Sequence, residues 1–273
     1  MAGRTHGDHV VPMTFGFKVA VWLDEVDRNL GRWEEMKTRL FVGNITGAVG
    51  TFASFGSENG LEIQRRMLEA LGLGAPRICW HAARDRFAEF AGLLAMMAST
   101  LAKEANEVKI LMKPEIAEIE KPIQEGKVGS STMPHKRNPN LCEDTMAMAK
   151  LIRNLHGSML DAMGTEHERD GSYWRVEYIA LPEICLLISA ILRNAVQLTS
   201  NLVVHPDRMR KNLDITRGEI VSEAAMLKMA QKTGKQKAHE VVYQSSIKAH
   251  SKGLSLLEAL LDDELVKGKI DCQ

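Results

Sequence analysis

Apolar residues Leu23, Val26, Leu30, Trp33, Met36 and Leu40 recur every three or four positions, with Asp24, Glu25, Asp27, Arg28, Arg32 and Glu34 between them. Such a stripe buries one face of a helix and wets the other, so a long amphipathic helix is predicted after Gly16. A stretch rich in Gly and Ala, GNITGAVGTFASFGSENG, follows, and its small side chains let backbones approach closely. A further helix is predicted near residues 60–71, stopped by Gly72 and Gly74, with Pro76 closing the unit. Helical spacing returns from Arg84 to Ile110, from Glu143 to about Met163 and from Val176 to about Leu202. Long helices joined by irregular segments imply an all-α bundle. Past Pro206 the helical patterns shorten and become more polar. Residues 1–204 are therefore expected to form a central helical-bundle domain and 205–273 the start of a small C-terminal helical domain. No internal repeat, low-complexity tract or convincing strand stands out.

Composition agrees with a buried helical core. Of 273 residues 45% are hydrophobic, aromatics are 5% and there are 15 methionines, which suits packed helices better than sheet sandwiches. Thirty-five basic residues balance thirty-five acidic ones, so charge points to neither nucleic acid nor an anionic membrane. A small ligand fits better. The start, MAGRTHGDHVV, lacks a secretory pattern, and the apolar run IALPEICLLISAIL is short and interrupted by Pro182 and Glu183. Cysteines at 79, 142, 185 and 272 form no CxxC pair, so neither zinc nor disulfides are expected, and a cytoplasmic setting is.

One segment carries chemistry rather than packing. GSSTMPHKRNPN, residues 129–140, holds two prolines, a glycine and paired serines, and cannot continue a helix. Residues 121–139 are expected to be a loop between two long helices. A Gly-Ser-Ser turn presents consecutive backbone N–H groups, a setting for anions, and Lys136 and Asn138 add a charge and an amide donor.

This segment resembles the signature loop of the fumarase/aspartase superfamily, Gly-Ser-Ser, any residue, Met-Pro, any, Lys, any, Asn, with every fixed position present from Gly129 to Asn138. The resemblance implies that Ser130 is the general base and that Ser131, Met133, Lys136 and Asn138 line the carboxylate site. A second segment, GRTHGDHVVPMTFGFK at residues 3–18, is similar to the family's threonine-histidine region. It implies that Thr5 binds substrate and that His6 is the general acid or a partner of it. HGDH also reads as two metal ligands, but no third stands at a helical spacing, so no metal is expected. The implied reaction is addition or elimination beside a carboxylate, without a cofactor. A base alone contributes about 10²- to 10⁴-fold. A cation about 4 Å from the developing charge, at an effective dielectric of about 20, is worth up to about 4 kcal/mol, and backbone donors add a comparable contribution. Ser130 would need such donors to stabilise its alkoxide, with the loop closing over the substrate about glycines 126 and 129.

AVGTFASFG at 48–56, WHAARDRFAEFA at 80–91 and EHERDGSYWRVEYIALPE at 166–183 resemble the branch of adenylosuccinate lyase and 3-carboxy-cis,cis-muconate cycloisomerase. The Trp-His pair before ARDR and the HER...W..E..ALPE pattern look more like the cycloisomerase. Where adenylosuccinate lyases carry serines and a phosphate-gripping arginine, this chain has Trp174, Arg175 and Tyr178, which leaves Arg175 as the remaining candidate clamp. Trp174 is read either as a core aromatic or as a pocket wall, and His81 and His167 either as site neighbours or as structural. Arg84 and Arg86 are expected to pair with Asp85 and Glu89 on the helix surface. Family members also carry a histidine region upstream of the threonine-histidine segment, so the chain is expected to be cut short at both ends. The resemblance further implies a homotetramer whose long helices form one central bundle and share active sites. The readings are thus a cycloisomerase-like enzyme, an adenylosuccinate lyase, or an inactive helical remnant that oligomerises.

Overall fold

The computed structural model describes residues 1–56, 58–121, 133 and 136–267. It is a helical protein whose chain divides into two compact units: residues 1–20, 113–120 and 204–273, and residues 21–112 and 121–203. Residues 1–20 and 113–120 thus accompany the C-terminal segment in the first unit.

The second unit is the bundle. Helix α1 (Phe15–Leu40) starts in the first unit and continues into the second, which also holds α2 (Gly60–Ala70), α3 (Asp85–Leu111), α4 (Asn140–Asp161) and α5 (Gly171–Ser200). Its core is the meeting of three stripes at helical spacing: Ala91, Leu94, Ala95 and Ala98 of α3, Ala149, Ile152 and Met159 of α4, and Ala180, Ile184, Ile188 and Ile191 of α5. The small alanines let α3 lie close while branched side chains from α5 fill the gaps. Polar atoms between α1 and α3 are mutually satisfied: Asn29 Nδ2 donates to Thr100 Oγ1 at 3.1 Å, and that hydroxyl donates to Glu25 Oε1 at 2.8 Å. Pro182 sits inside α5 without ending it, in keeping with the helical spacing expected from Val176 to about Leu202. The long apolar run around it is held by packing on both sides, which outweighs one lost backbone hydrogen bond.

The first unit corrects the expectation of no strand. β1 (Ala2–Thr5) and β2 (Asp8–Pro12) form an antiparallel hairpin with Arg4 opposite His9 and Thr5 opposite Asp8. Such short strands escape a periodicity reading because neither contains a full run of alternation. β3 (Ile119–Glu120) follows the segment 113–118. Beyond a second two-residue strand, β4 (Val203–Val204), come α6 (Pro206–Asn212), α7 (Ser222–Thr233), α8 (Lys235–Lys252) and α9 (Leu256–Leu261). Met229, Ala238, Val241, Val242, Leu256 and Leu260 bury one another there, and α9 is opened by a reciprocal capping box between Ser255 and Glu258.

Candidate functional site

The hairpin of the first unit turns at His6 and Gly7, whose φ values are 53° and 88°. Two successive positive φ angles define the tight turn that matches the twist of paired strands. Gly7 takes this conformation without strain, whereas His6 does so against its Cβ. Thr5, His6, Gly7 and Asp8 are all exposed, so the two residues expected to bind substrate and move a proton stand together at a projecting tip. Gly3 is needed at the base, because a Cβ there would lie 2.8 Å from the Val11 carbonyl oxygen.

Behind the tip the hairpin is anchored by charge. Arg4 Nη1 donates to Glu118 Oε2 at 3.1 Å and Nη2 to Glu118 Oε1 at 2.9 Å, and the Glu118 side chain is completely buried. Asn212 Nδ2 donates to the same Oε1 at 2.9 Å. Burial would raise the Glu118 pKa, but the hydrogen bonds from Arg4 and Asn212 outweigh it and hold the carboxyl below its ordinary range. His9 is pushed the other way from protonation by burial and by Arg4, with Glu118 and Asp8 opposing, so its neutral form is favoured. Val10 and Val11 of β2, with Met226, Val242 and Tyr243, wall an open hollow of about 410 Å³ in the same unit.

In the second unit the signature segment leads directly into α4. The Lys136 amide donates to the Met133 carbonyl at 2.9 Å, and the amides of Cys142 and Glu143 both reach the Pro139 carbonyl, at 2.9 and 3.0 Å. Lys136 is exposed and Asn138 half-buried, both just before the positive end of a long helix, a setting that favours an anion. Ser130, Ser131 and the hinge glycines 126 and 129 lie outside the described residues.

Arg175 is exposed at the start of the second turn of α5, beyond an Asp170 cap whose carboxylate accepts from the Ser172 amide at 2.8 Å. Trp174 is half-buried, its ring centroid 5.5 Å from that of Tyr178, with the Arg169 guanidinium 6.0 Å from the Trp174 ring. The surface pairing expected for Arg84 and Arg86 does not form. Arg84 is buried and makes a two-pronged ion pair with buried Glu177, 93 residues on, one prong at 2.7 Å, while Glu89 is taken by Arg39 and the Arg86 Nε donates to the Arg39 carbonyl. Buried Arg needs a buried carboxylate more than an exposed one, which neighbour spacing along a helix does not reveal. His81 sits beside this pair with its buried Nδ1 lacking a partner. Burial first, then Arg169 and Arg84, lower its pKa. His167 is exposed with a φ of 52°. Among the described residues no group of three or more His, Cys, Asp or Glu could hold a metal ion.

Residues 1–153 match a family model described as Lyase, and residues 218–272 one described as Adenylosuccinate lyase C-terminus. The chain is 47% identical to N-acetyl-S-(2-succino)cysteine lyase of Dickeya dadantii over 96% of its own length and 58% of that protein's. The chain belongs to the fumarase/aspartase superfamily. Within the superfamily it is also 42% identical to adenylosuccinate lyase of Pyrococcus abyssi, covering 96% of this chain and 58% of the relative. The crystal structure of 3-carboxy-cis,cis-muconate lactonizing enzyme from Pseudomonas putida superimposes with a TM-score of 0.90 at 34% identity, over 99% of this chain and 59% of that one. The chain thus spans less than two thirds of the length of these superfamily members.

The sequence pattern pointed to neither Glu118 nor Asn212, and it held Glu177 only as the acidic position of HER...W..E..ALPE with no link to Arg84. Arg4 and Arg84 stand 114 and 93 residues from their carboxylates, with no local signal of pairing.

Proposed function

We propose that this protein is a lyase of the fumarase/aspartase type acting on a succinylated thiol and releasing fumarate. The observation that carries this reading is the 47% identity to N-acetyl-S-(2-succino)cysteine lyase across nearly the whole chain. A base takes the proton from the carbon beside one carboxylate, and that electron pair becomes the carbon–carbon double bond. The carbon–sulfur pair leaves with sulfur, and the thiolate takes a proton from an acid. Ser130 serves as base and His6 as acid or its partner. Thr5, Ser131, Met133, Lys136 and Asn138 hold the carboxylates, and Arg175 takes the remote end of the substrate. No redox or group-carrier step enters this sequence, so acid, base and fixed charge suffice without a cofactor.

A second reading, cycloisomerisation of a carboxymuconate, is supported by the Trp-His and HER...W..E..ALPE patterns and by the likeness to the Pseudomonas putida enzyme. Both readings share the proton chemistry and differ in the leaving group. Adenylosuccinate is the less favoured substrate, because Trp174 and Tyr178 present paired rings where a phosphate would need donors. The active species is read as a cytoplasmic homotetramer with shared sites, acting on small carboxylates and not on nucleic acid or membranes. In support, α5 exposes Tyr178, Ile179, Leu186 and Val196, each more than 60% accessible, a stripe that favours burial against further helices.

The test incubates the purified protein with N-acetyl-S-(2-succino)cysteine, adenylosuccinate and 3-carboxymuconate in parallel, reading fumarate release or lactone formation by ultraviolet absorbance. Fumarate from the thioether, abolished by Ser130→Ala and weakened about 10²-fold or more by Lys136→Ala, is the expected result. Turnover of the muconate alone would replace the first reading by the second. Turnover of none by an intact helical oligomer would favour the inactive remnant.

A further inference from the structure

We infer that Arg4 is a positioning residue for the Thr5–His6 turn, locked in a socket built by Glu118 and Asn212. The inference rests on the reading of Thr5 and His6 as site residues given above.

A two-stranded hairpin is marginal in water without further support. This one also holds His6 in a left-handed conformation that is costly for a residue with a Cβ. Its tip, residues 5–8, is exposed. Beyond the buried Met1 and Ala2 at the base of the hairpin, support near the tip comes from Arg4. Successive side chains of a strand point to opposite faces, so drawing Arg4 inward to Glu118 presents Thr5 outward. A slip of one residue would exchange the two faces. The two-pronged guanidinium–carboxylate bond fixes angle as well as distance, which a lysine at the same place would not do.

The socket is itself held at several points. Asn212 Nδ2 donates to the Ile116 carbonyl at 2.8 Å as well as to Glu118, and Arg208 Nε donates to the same carbonyl at 3.0 Å. Arg208 Nη2 reaches the Glu115 carbonyl at 3.0 Å, and the His205 amide donates to the Glu118 carbonyl at 3.0 Å. Ala117, between these anchors, is in the left-handed region at a φ of 50°. A non-glycine residue stays there when its surroundings determine the backbone completely. The carboxylate that receives Arg4 is therefore rigid, and the place of Thr5 and His6 follows from it.

The experiment compares wild type with Arg4→Lys, which keeps the charge and removes the fork, and with Asn212→Ala, which leaves the hairpin sequence untouched. Two readouts are taken: steady-state kinetics on whichever substrate the protein turns over, and histidine-labelled NMR of the His6 ring and its amide coupling, which reports the positive φ. The expected result is retained helical circular dichroism, a shifted His6 signal, and a kcat lowered about 10- to 100-fold in Arg4→Lys, as expected for a catalytic group displaced by about 1 Å. KM should rise by less than kcat falls, because Thr5 moves with the turn while Lys136 and Asn138 are untouched. Asn212→Ala should move both readouts in the same direction by less, and it decides the question if Arg4→Lys does not fold. Unchanged kcat, or an unchanged His6 signal, overturns the inference. Absence of turnover in wild type removes the functional reading of Thr5 and His6, and the NMR comparison then decides the positioning role by itself.

Discussion

His6 stands at a backbone position that glycine, asparagine or aspartate would fill with less strain, at a φ of 53° beside Gly7 at 88°. A residue kept where its conformation is costly is explained by what its side chain does, and the role proposed for the His6 imidazole, passing a proton, would account for it. His6→Asn is accordingly expected to leave unfolding stability unchanged or slightly raised, while lowering turnover about 10²- to 10⁴-fold. Denaturant unfolding and initial rates on the same preparation check both halves, and a loss of stability beyond about 1 kcal/mol would contradict the strained-turn argument. Glu104 of α3 is a second residue whose surroundings work against it. It faces Trp22, Leu101, Thr145 and Leu198, its Oε1 has no partner, and burial pushes its carboxyl up to about 7, with Glu25 adding to the rise and Lys103 opposing it. As pH rises from the ordinary carboxyl value of 4.5 towards about 7, the unfolded chain ionises first and the folded state loses stability relative to it. Glu104→Gln should flatten this decline and leave the variant the more stable one above about pH 7. Parallel pH-dependent slopes for the two proteins would show that Glu104 is not the cause.

Helices α3 and α5 meet at a buried charge as well as along their apolar stripes. Arg84, at the start of α3, grips Glu177 in the second turn of α5 and lies against Phe87, its guanidinium 4.6 Å from that ring centroid. This pair ties the start of α5, with Trp174 and Arg175, to the start of α3. Glu177→Ala should leave the guanidinium buried and alone and cost about 3–5 kcal/mol. Replacing both residues by apolar ones of similar size should recover most of that loss. Thermal unfolding of the single and double variants distinguishes these outcomes, and additive losses would exclude a direct coupling. At this scale the helices themselves were legible, because burying one face leaves a three- and four-residue period that tertiary contacts reinforce rather than create. The hairpin was not, because four- and five-residue strands carry too little alternation. Pro182 interrupts the apolar run IALPEICLLISAIL but not the helix, which the packing of Ile184, Ile188 and Ile191 sustains beyond it.

For the whole molecule the governing feature is the apolar face that α5 leaves uncovered. The helix contains an 18-residue window of mean hydropathy 1.7, of which 22% is buried. By length and composition it could cross a membrane, yet its buried stripe belongs to the core it shares with α3 and α4. Self-association through the remaining stripe would bury the exposed Ile179, Leu186 and Val196. Ile179→Asp combined with Val196→Asp should therefore convert an oligomer into smaller species in sedimentation velocity, while the individual chain stays helical. An oligomer of unchanged mass would show that another surface holds the copies together.

The helical class, the run of long helices and the chemical identity of the threonine-histidine and signature segments are written in the chain, since periodicity and motif are local properties of residue order. Which carboxylate receives Arg4 or Arg84, and that His6 is held against its preferred backbone, were decided by folding alone. Those facts join residues 114 and 93 positions apart, and a buried charge takes whichever opposite charge the packing brings within reach, whatever stands next to it along the chain.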